Sequence, residues 1–227
     1  MKITKIKKYK RSKMVIIVAL VVLVLFGMSH SFNQSMEPQL NALAKQHTSV
    51  AINKVVKEVL SSISYNEEDL MSMKQDAQGE ILSISYNSNQ LNNILHTSLK
   101  TIDASLLAAQ EGNKDPTLEE VFYKDGIVYQ VPLGYFTHLF FLYNKGPKLN
   151  VRMKLLNDVV GEIKTTCEPY GMNSTMIKIS LAIVVEAQAI TFLNITPMKC
   201  TNEIPLVIQV VNGKIPAFVP YTTRGSS

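Results

Sequence analysis

The sequence predicts an α+β protein in which an N-terminal transmembrane helix and an amphipathic stalk helix precede a mostly antiparallel sheet packed by helices. Three observations lead to this prediction. An uncharged apolar run occupies residues 14–28. Apolar residues then recur at helical spacing between Pro38 and Ile63. Finally, apolar and polar residues alternate from Ile177 to Ala189, which is typical of a strand with one wet face and one covered face.

Residues 14–30 are predicted to form a membrane anchor. The run MVIIVALVVLVLFGM contains no charge, and seven Lys or Arg residues with no acid precede it in residues 1–13. Cations beside a membrane segment remain on the cytoplasmic side, so residues 1–13 are predicted to be a basic cytoplasmic tail and the body extracytoplasmic. The topology determinants are Lys7, Lys8, Lys10, Arg11 and Lys13.

The sequence favours a retained anchor over a cleaved signal, without excluding the latter. The strictly apolar run is roughly 22 Å long as a helix, shorter than the ~30 Å hydrocarbon core and at the upper edge of a signal-peptide segment. However, the uncharged stretch continues to Met36, and Ser29-His30-Ser31 is the best small-x-small cleavage motif. No Ala-x-Ala motif follows. We therefore expect a single-pass membrane protein.

The net charge of +5 is concentrated in the N-terminal tail. Seven of the 23 basic residues lie there, and the rest of the chain contains 16 basic and 18 acidic residues. Because the body is slightly acidic, a nucleic-acid surface on it is not expected. The predicted partner of the tail is membrane lipid with anionic head groups.

The predicted stalk, 31–64, contains a helix from Pro38 to about Ile63. Its apolar face carries Ile52, Val56 and Leu60 at a spacing of four. Packing on the protein's own domain is favoured over binding a partner. Residues 65–112 then predict a hairpin of strands at 70–74 and 81–86, followed by a helix capped by Ser88 and ended by Gly112. Residues 111–126 are predicted to be a loop, with one helical turn over 117–122.

Residues 127–218 are predicted to be a β-rich core with antiparallel strands, followed by a disordered tail at 219–227. Strands are expected at 127–131, at 149–155 and at 159–167, with a bulge at Gly161. The aromatic stretch Tyr135–Tyr143 is interpreted as a short buried helix. Residues 168–173 predict a turn into the long strand that begins near Ile177.

The last predicted strand covers 204–210 and lies at a sheet edge because it contains Pro205. Pro197 is interpreted as the turn before it. Cys167 and Cys200 then fall near opposite ends of the long strand, too far apart for the ~7 Å limit of a disulfide. Both are therefore expected to be packed free thiols.

No catalytic, metal-binding or cofactor-binding motif is present in the sequence, and we expect a protein that is not an enzyme. The four histidines are not at metal-ligand spacing, and there is no Cys-x-x-Cys, nucleophile elbow, Walker loop or Gly-x-Gly-x-x-Gly. His138 is the one residue considered as a general base, although a structural role is favoured. The acid clusters Glu67-Glu68-Asp69 and Glu119-Glu120 are interpreted as solvated.

The segments Val131-Pro-Leu-Gly134, Asn144-Lys-Gly-Pro147, Gly171-Met-Asn173 and Val211-Asn-Gly-Lys-Ile-Pro216 resemble the YunB family of sporulation proteins. The motif residues, interpreted as structural, are Pro132, Leu133, Gly134, Gly146, Pro147, Gly161, Gly171, Asn173, Pro205, Gly213 and Pro216. The chain departs from the family pattern at Thr137-His138-Leu139, where the family has Thr-Gly-Asn, so it is similar to a divergent member.

This resemblance implies a mother-cell or outer forespore membrane protein of endospore-forming Firmicutes, taking part in spore formation without established enzymatic activity. Other sporulation membrane proteins, or a second copy of the chain, are the implied partners. Two alternatives remain open from the residues: an envelope enzyme acting on the cell wall through His138, and a membrane scaffold that self-assembles through the Pro205 edge or the 38–63 helix.

Overall fold

The structure is a computed structural model that describes residues 36–77, 81–137, 140–171 and 173–212. The predicted basic tail, the anchor at 14–30 and the tail at 219–227 lie outside these residues. Within the described part of the chain, no helix has both the length and the apolar character needed to cross a bilayer.

The described residues form two compact units. Unit 1 comprises 36–50, 127–154 and 188–198, and unit 2 comprises 51–126, 155–187 and 199–212, apart from the residues outside the described ranges. Helix α1 covers 36–62, and α2 covers Ser88–Glu111. The strands are β1 Met71–Gln75, β2 Ile81–Tyr86, β3 Ile127–Pro132, β4 Lys148–Leu155, β5 Val160–Pro169, β6 Ser174–Ile190 and β7 Ile195–Asn212. Short 3-10 helices cover Glu67–Asp69, Lys124–Gly126 and Leu133–Thr137.

The strands form an antiparallel hairpin and a larger sheet, which confirms the α+β class. Among the described residues β1 pairs β2, and the larger sheet has the order β3-β4-β6-β5, with β7 also paired to β6. Pairing of β3 with β4 and of β5 with β6 is antiparallel. In the described sheet β7 pairs only β6, so its other edge is open, as predicted from Pro205.

The helices follow the periodicity of the sequence. In unit 2 the face of α1 that carries Ile52, Val55, Val56 and Val59 is buried, so it packs within the protein. Helix α2 ends at Gly112, whose φ of +74° is left-handed, as predicted. Its N-cap, however, is Asn87, whose side chain accepts a hydrogen bond from Gln90 N at 3.2 Å. The prediction of Ser88 was wrong by one residue because both side chains are good caps.

The alternation in β6 is confirmed on its predicted covered face. All seven residues there are at most 3% exposed: Ile177, Ile179, Leu181, Ile183, Val185, Ala187 and Ala189. The prediction of a wet opposite face was wrong at Ser180, which is 1% exposed. Ser180 is small, and Lys164 lies directly opposite it on β5. Ser180 also forms a side-chain hydrogen bond with Glu203 of β7, so neighbours on both sides of β6 flank it.

The bulge predicted at Gly161 and the turn predicted at Pro197 were both wrong. Gly161 makes no bulge, because the β5–β6 register is continuous from Val160 to Pro169. A Cβ at Gly161 would instead lie 2.9 Å from Leu99 Cδ2 of α2, so the glycine permits close helix–sheet packing. Pro197 lies inside β7, and the preceding turn is closed by Thr191 and Asn194. A proline is tolerated there because an edge strand needs fewer N–H donors.

Three further expectations require correction. Tyr135–Tyr143 is not a buried helix, since the 3-10 helix ends at Thr137 and Phe140 is 90% exposed. No helical turn covers 117–122, because Asp115 Oδ1 accepts hydrogen bonds from Thr117 N and Leu118 N and fixes a turn instead. Neither Cys167 nor Cys200 is in a disulfide, as predicted, but Cys167 is exposed and only Cys200 is packed.

Candidate binding surface

The motif residues of unit 1 meet where β3 ends and β4 begins, and we call Leu133, Gly134, Gly146 and Pro147 the clasp. Leu133 N donates to Pro147 O at 2.9 Å, and Gly134 N donates to Lys145 O at 3.0 Å. These bonds extend the β3–β4 ladder beyond its Pro132–Lys148 pair. Two motifs whose glycines are twelve positions apart in sequence are thereby joined through their backbones.

The clasp requires glycine at two positions for different reasons. Gly146 has a φ of +95°, which residues with a side chain rarely adopt. At Gly134 the constraint is space, because a Cβ would overlap Leu142 O and lie 2.6 Å from Lys145 O. Gly134 O also accepts a hydrogen bond from Thr137 Oγ1 at 2.7 Å. The motif glycines therefore determine backbone geometry.

The base of the clasp packs on helix α1 within unit 1. Met36, Leu40, Val131 and Phe136 are buried together, at 4%, 0%, 0% and 2% exposure. Leu133 and Tyr135 of the 3-10 helix pack against this cluster. Because apolar burial on this scale stabilises a fold, the clasp is fixed to the first turns of α1.

The clasp holds a run of apolar residues, Phe140, Phe141, Leu142 and Tyr143, which we call the aromatic tip; its three aromatic residues are exposed and Leu142 is half-buried. Phe140 is 90% exposed, Phe141 59% and Tyr143 48%. The Phe140 and Phe141 rings are edge to face, with centroids 5.7 Å apart. The Tyr143 ring is tilted against the Tyr135 ring, with centroids 4.8 Å apart. The pKa of Tyr143 is raised by desolvation, by a side-chain hydrogen bond with Tyr135 and by the charge of ionised Tyr135. The tip presents large apolar side chains to solvent, which is typical of a contact surface.

His47 stacks on Tyr129 in unit 1, an arrangement that the sequence did not indicate. The ring centroids are 3.5 Å apart and the planes differ by 5°. Burial lowers the pKa of His47, so the neutral imidazole is favoured in the folded state. No sequence signal pairs the two residues, because they are 82 positions apart and belong to different elements.

The His47 contact predicts a loss of stability on acidification. Because the folded pKa is lowered, the unfolded chain binds more protons below its ordinary pKa of 6.5, and stability falls as the pH decreases through that value toward the lowered folded pKa. Replacing His47 by Phe keeps a stacking ring and should reduce this pH dependence in denaturant unfolding of the full-length protein in detergent. The His96→Phe protein, altered at an exposed histidine of α2, is the control. An unchanged slope for His47→Phe would contradict the prediction.

Unit 2 contains an apolar groove between α1 and β7. Its volume is about 440 Å³, and it is lined by Asn53, Val56, Lys57, Leu60, Ser61, Asn202 and Ile204. Asn202 Nδ2 is buried without a hydrogen-bond partner. The groove has one cation and no acid, so it suits an apolar group with a polar acceptor better than an acid–base reaction.

Ion pairs connect β6 to β7 elsewhere in unit 2. Lys178 Nζ donates to Glu203 Oε1 at 2.8 Å, and this hydrogen bond lowers the pKa of Glu203. The pKa of Glu186 is lowered first by a hydrogen bond from Asn157 Nδ2 at 2.8 Å and then by Lys199. Glu67 and Glu119 are exposed, as expected for solvated acids. Three His, Cys, Asp or Glu side chains suitable for a metal ion do not come together anywhere in the described residues.

Of the remaining motif residues that the structure describes, Pro132 directly precedes the clasp and the others lie apart from it. Pro132 ends β3, Gly161 lies in β5, Gly171 and Asn173 lie in the β5–β6 turn, and Pro205 is exposed in β7. Gly213, Pro216, His138 and the five topology cations lie outside the described residues. The structure thus brings together four of the predicted motif residues, while the aromatic tip beside them was missed because its aromatics were expected to be buried.

The fold and the clasp define an α+β protein with a backbone-closed loop that presents an apolar tip. Residues 128–218 match the family model described as Sporulation protein YunB. Over 198 residues the chain is 28% identical to Sporulation protein YunB of Bacillus subtilis (strain 168). The aligned region covers 86% of this chain and 75% of that protein. The resemblance predicted from the motifs is confirmed. No solved structure matches the chain.

Proposed function

We propose that this chain is a single-pass membrane protein whose extracytoplasmic, non-catalytic domain takes part in endospore formation. The observation that carries the proposal is the similarity to a sporulation protein over most of the chain, together with the family match at 128–218. We propose the mother-cell or outer forespore membrane as its location; the likeness to a sporulation protein supports a sporulation-related location.

The membrane part of the proposal is supported by the sequence before the described residues. An uncharged apolar run at 14–28 follows seven cations, and the next formal charge is Glu37. This asymmetry is typical of a segment with a cytoplasmic N-terminus. The domain that begins near Met36 then lies on the extracytoplasmic side.

The non-catalytic part is supported by the chemistry of the motif residues. Gly134 and Gly146 contribute backbone conformation and space, and Leu133 contributes apolar packing. None of these side chains can donate a proton, attack a carbon atom or bind a metal. A motif of this kind maintains a surface for binding, and the partners proposed are other sporulation membrane proteins or a second copy of the chain.

Two substitutions in the apolar run test this function in sporulating cells. Replacing Val21 and Val22 by Arg should release the protein from membranes and reduce heat-resistant spores to the level of a deletion strain, because a charge at the centre of a membrane helix costs about 3 kcal/mol. Replacing both residues by Leu is the control and should preserve retention and sporulation. A reporter fused after Ser227 should be active outside the cytoplasm.

Three outcomes would refute the proposal. Intact wild-type protein in a detergent-free high-speed supernatant would contradict the anchor. A deletion strain that forms spores normally would contradict the role in sporulation. Reporter activity confined to the cytoplasm would contradict the topology.

A further inference from the structure

The aromatic tip in unit 1 is exposed to an extent that folding alone does not explain. Phe140, Phe141 and Tyr143 lie within four consecutive residues and are each about half exposed or more. Exposed large aromatics disfavour the free state in water and mark interaction surfaces. Tyr and Trp are also enriched at the level of lipid head groups, and Phe is common on the apolar face of segments that bind the membrane surface.

The tip is held in place by the clasp. Tyr143 N donates to Phe140 O at 3.4 Å, and Lys145 N donates to Leu142 O at 2.8 Å, so the tip forms tight turns. Gly134 N then bonds Lys145 O at its base. These bonds fix the backbone beside the rings. The tip therefore loses little conformational entropy when it binds a partner.

The stretch of sequence that contains the tip carries only positive formal charge. No Asp or Glu occurs between Asp125 and Asp158, whereas Lys145, Lys148, Arg152 and Lys154 lie in this stretch. The described residues of unit 1 contain five Lys or Arg and one acid, and those of unit 2 contain nine and sixteen. The cationic surplus therefore accompanies the aromatic tip. Cations beside exposed aromatics suit an anionic lipid surface.

The chain outside the described residues enters the structure at the same place. Met36, the first described residue, packs with Phe136 at the base of the clasp. Residues 31–35 separate it from the predicted anchor at 14–30 and span at most about 20 Å when extended. If the anchor lies in the bilayer, as the proposed function states, the base of the clasp lies within that distance of the membrane.

We propose that the aromatic tip inserts into the head-group region of the anionic bilayer that holds the anchor, with the cations of β4 and its approach facing the lipid phosphates. This inference rests on the proposed function. The tip gives the domain a second membrane contact and restricts its orientation on the lipid surface.

Tryptophan fluorescence of the full-length protein in vesicles tests the inference. The chain contains no tryptophan, so Phe140→Trp introduces a single reporter at a 90% exposed position. In phosphatidylglycerol-containing vesicles with brominated acyl chains, we expect its emission to shift to shorter wavelength and fall about twofold or more. Tyr170→Trp, at a 57% exposed position of unit 2, is the matched control and should stay unquenched.

Flotation after an alkaline wash separates this inference from the anchor. Protein that floats with the vesicles while Phe140→Trp remains unquenched would overturn the tip proposal and leave the anchor intact, as expected if the tip binds another protein. Protein released by the wash would contradict the anchor, whereas quenching before the wash would still support the tip. Equal quenching in phosphatidylcholine vesicles would overturn the role of the cations.

Discussion

Replacing Gly134 by Ala is expected to destabilise unit 1 by about 3 kcal/mol, a large effect for the addition of one methyl group. The new Cβ would overlap Leu142 O and lie 2.6 Å from Lys145 O, and both atoms belong to the backbone. Relief therefore requires the clasp to open, with loss of the hydrogen bond between Gly134 N and Lys145 O. Denaturant unfolding of the full-length protein in detergent measures the change.

Gly171→Ala is the matched control for this substitution. Gly171 has a φ of +78°, and a Cβ there meets no atom within 4 Å. Alanine should cost only about 1 kcal/mol, the penalty for the left-handed backbone. Equal destabilisation by the two substitutions would mean that crowding in the clasp is not what requires Gly134.

Replacing Leu181 by Ala is expected to lower the free energy of unfolding by about 2–5 kcal/mol. Leu181 is 0% exposed on the covered face of β6, between Ile179 and Ile183, which are also fully buried. Removing its side chain leaves a cavity that a strand paired to β5 cannot easily close. The same unfolding measurement in detergent detects the loss.

Leu107→Ala in α2 provides the matched comparison, because it removes the same atoms from a side chain that is 45% exposed. Its cost should stay below about 1 kcal/mol, since alanine also favours the helix. A small loss for Leu181→Ala, comparable with that of Leu107→Ala, would contradict the position of β6 in the core.

These effects concern different levels of the structure. Leu181→Ala tests the buried core that the periodicity of β6 predicted. Gly134→Ala tests whether the clasp keeps the aromatic tip in place. If the tip contacts lipid as proposed, Gly134→Ala should also reduce quenching of the Phe140→Trp reporter, because an open clasp no longer holds the rings in a fixed position.

The helices and strands were largely predictable because their signals are local. The apolar residues of α1 recur at helical spacing, and those of β6 recur every second residue, so the buried face follows from sequence order alone. The failures occurred where local chemistry allows two structures. Asn87 and Ser88 both cap helices, and Pro197 is compatible with a turn or an edge strand.

The sequence by itself determined the α+β class, the strand alternation, the open edge at Pro205 and the motif resemblance that was later confirmed. Only the tertiary structure decided that the two glycine motifs form one clasp, that Phe140 and Phe141 face solvent and that His47 stacks on Tyr129. The physical reason is distance along the chain. Periodicity reports which face of an element is apolar, whereas backbone overlap, ring stacking and the exposure of a loop depend on residues far apart in sequence.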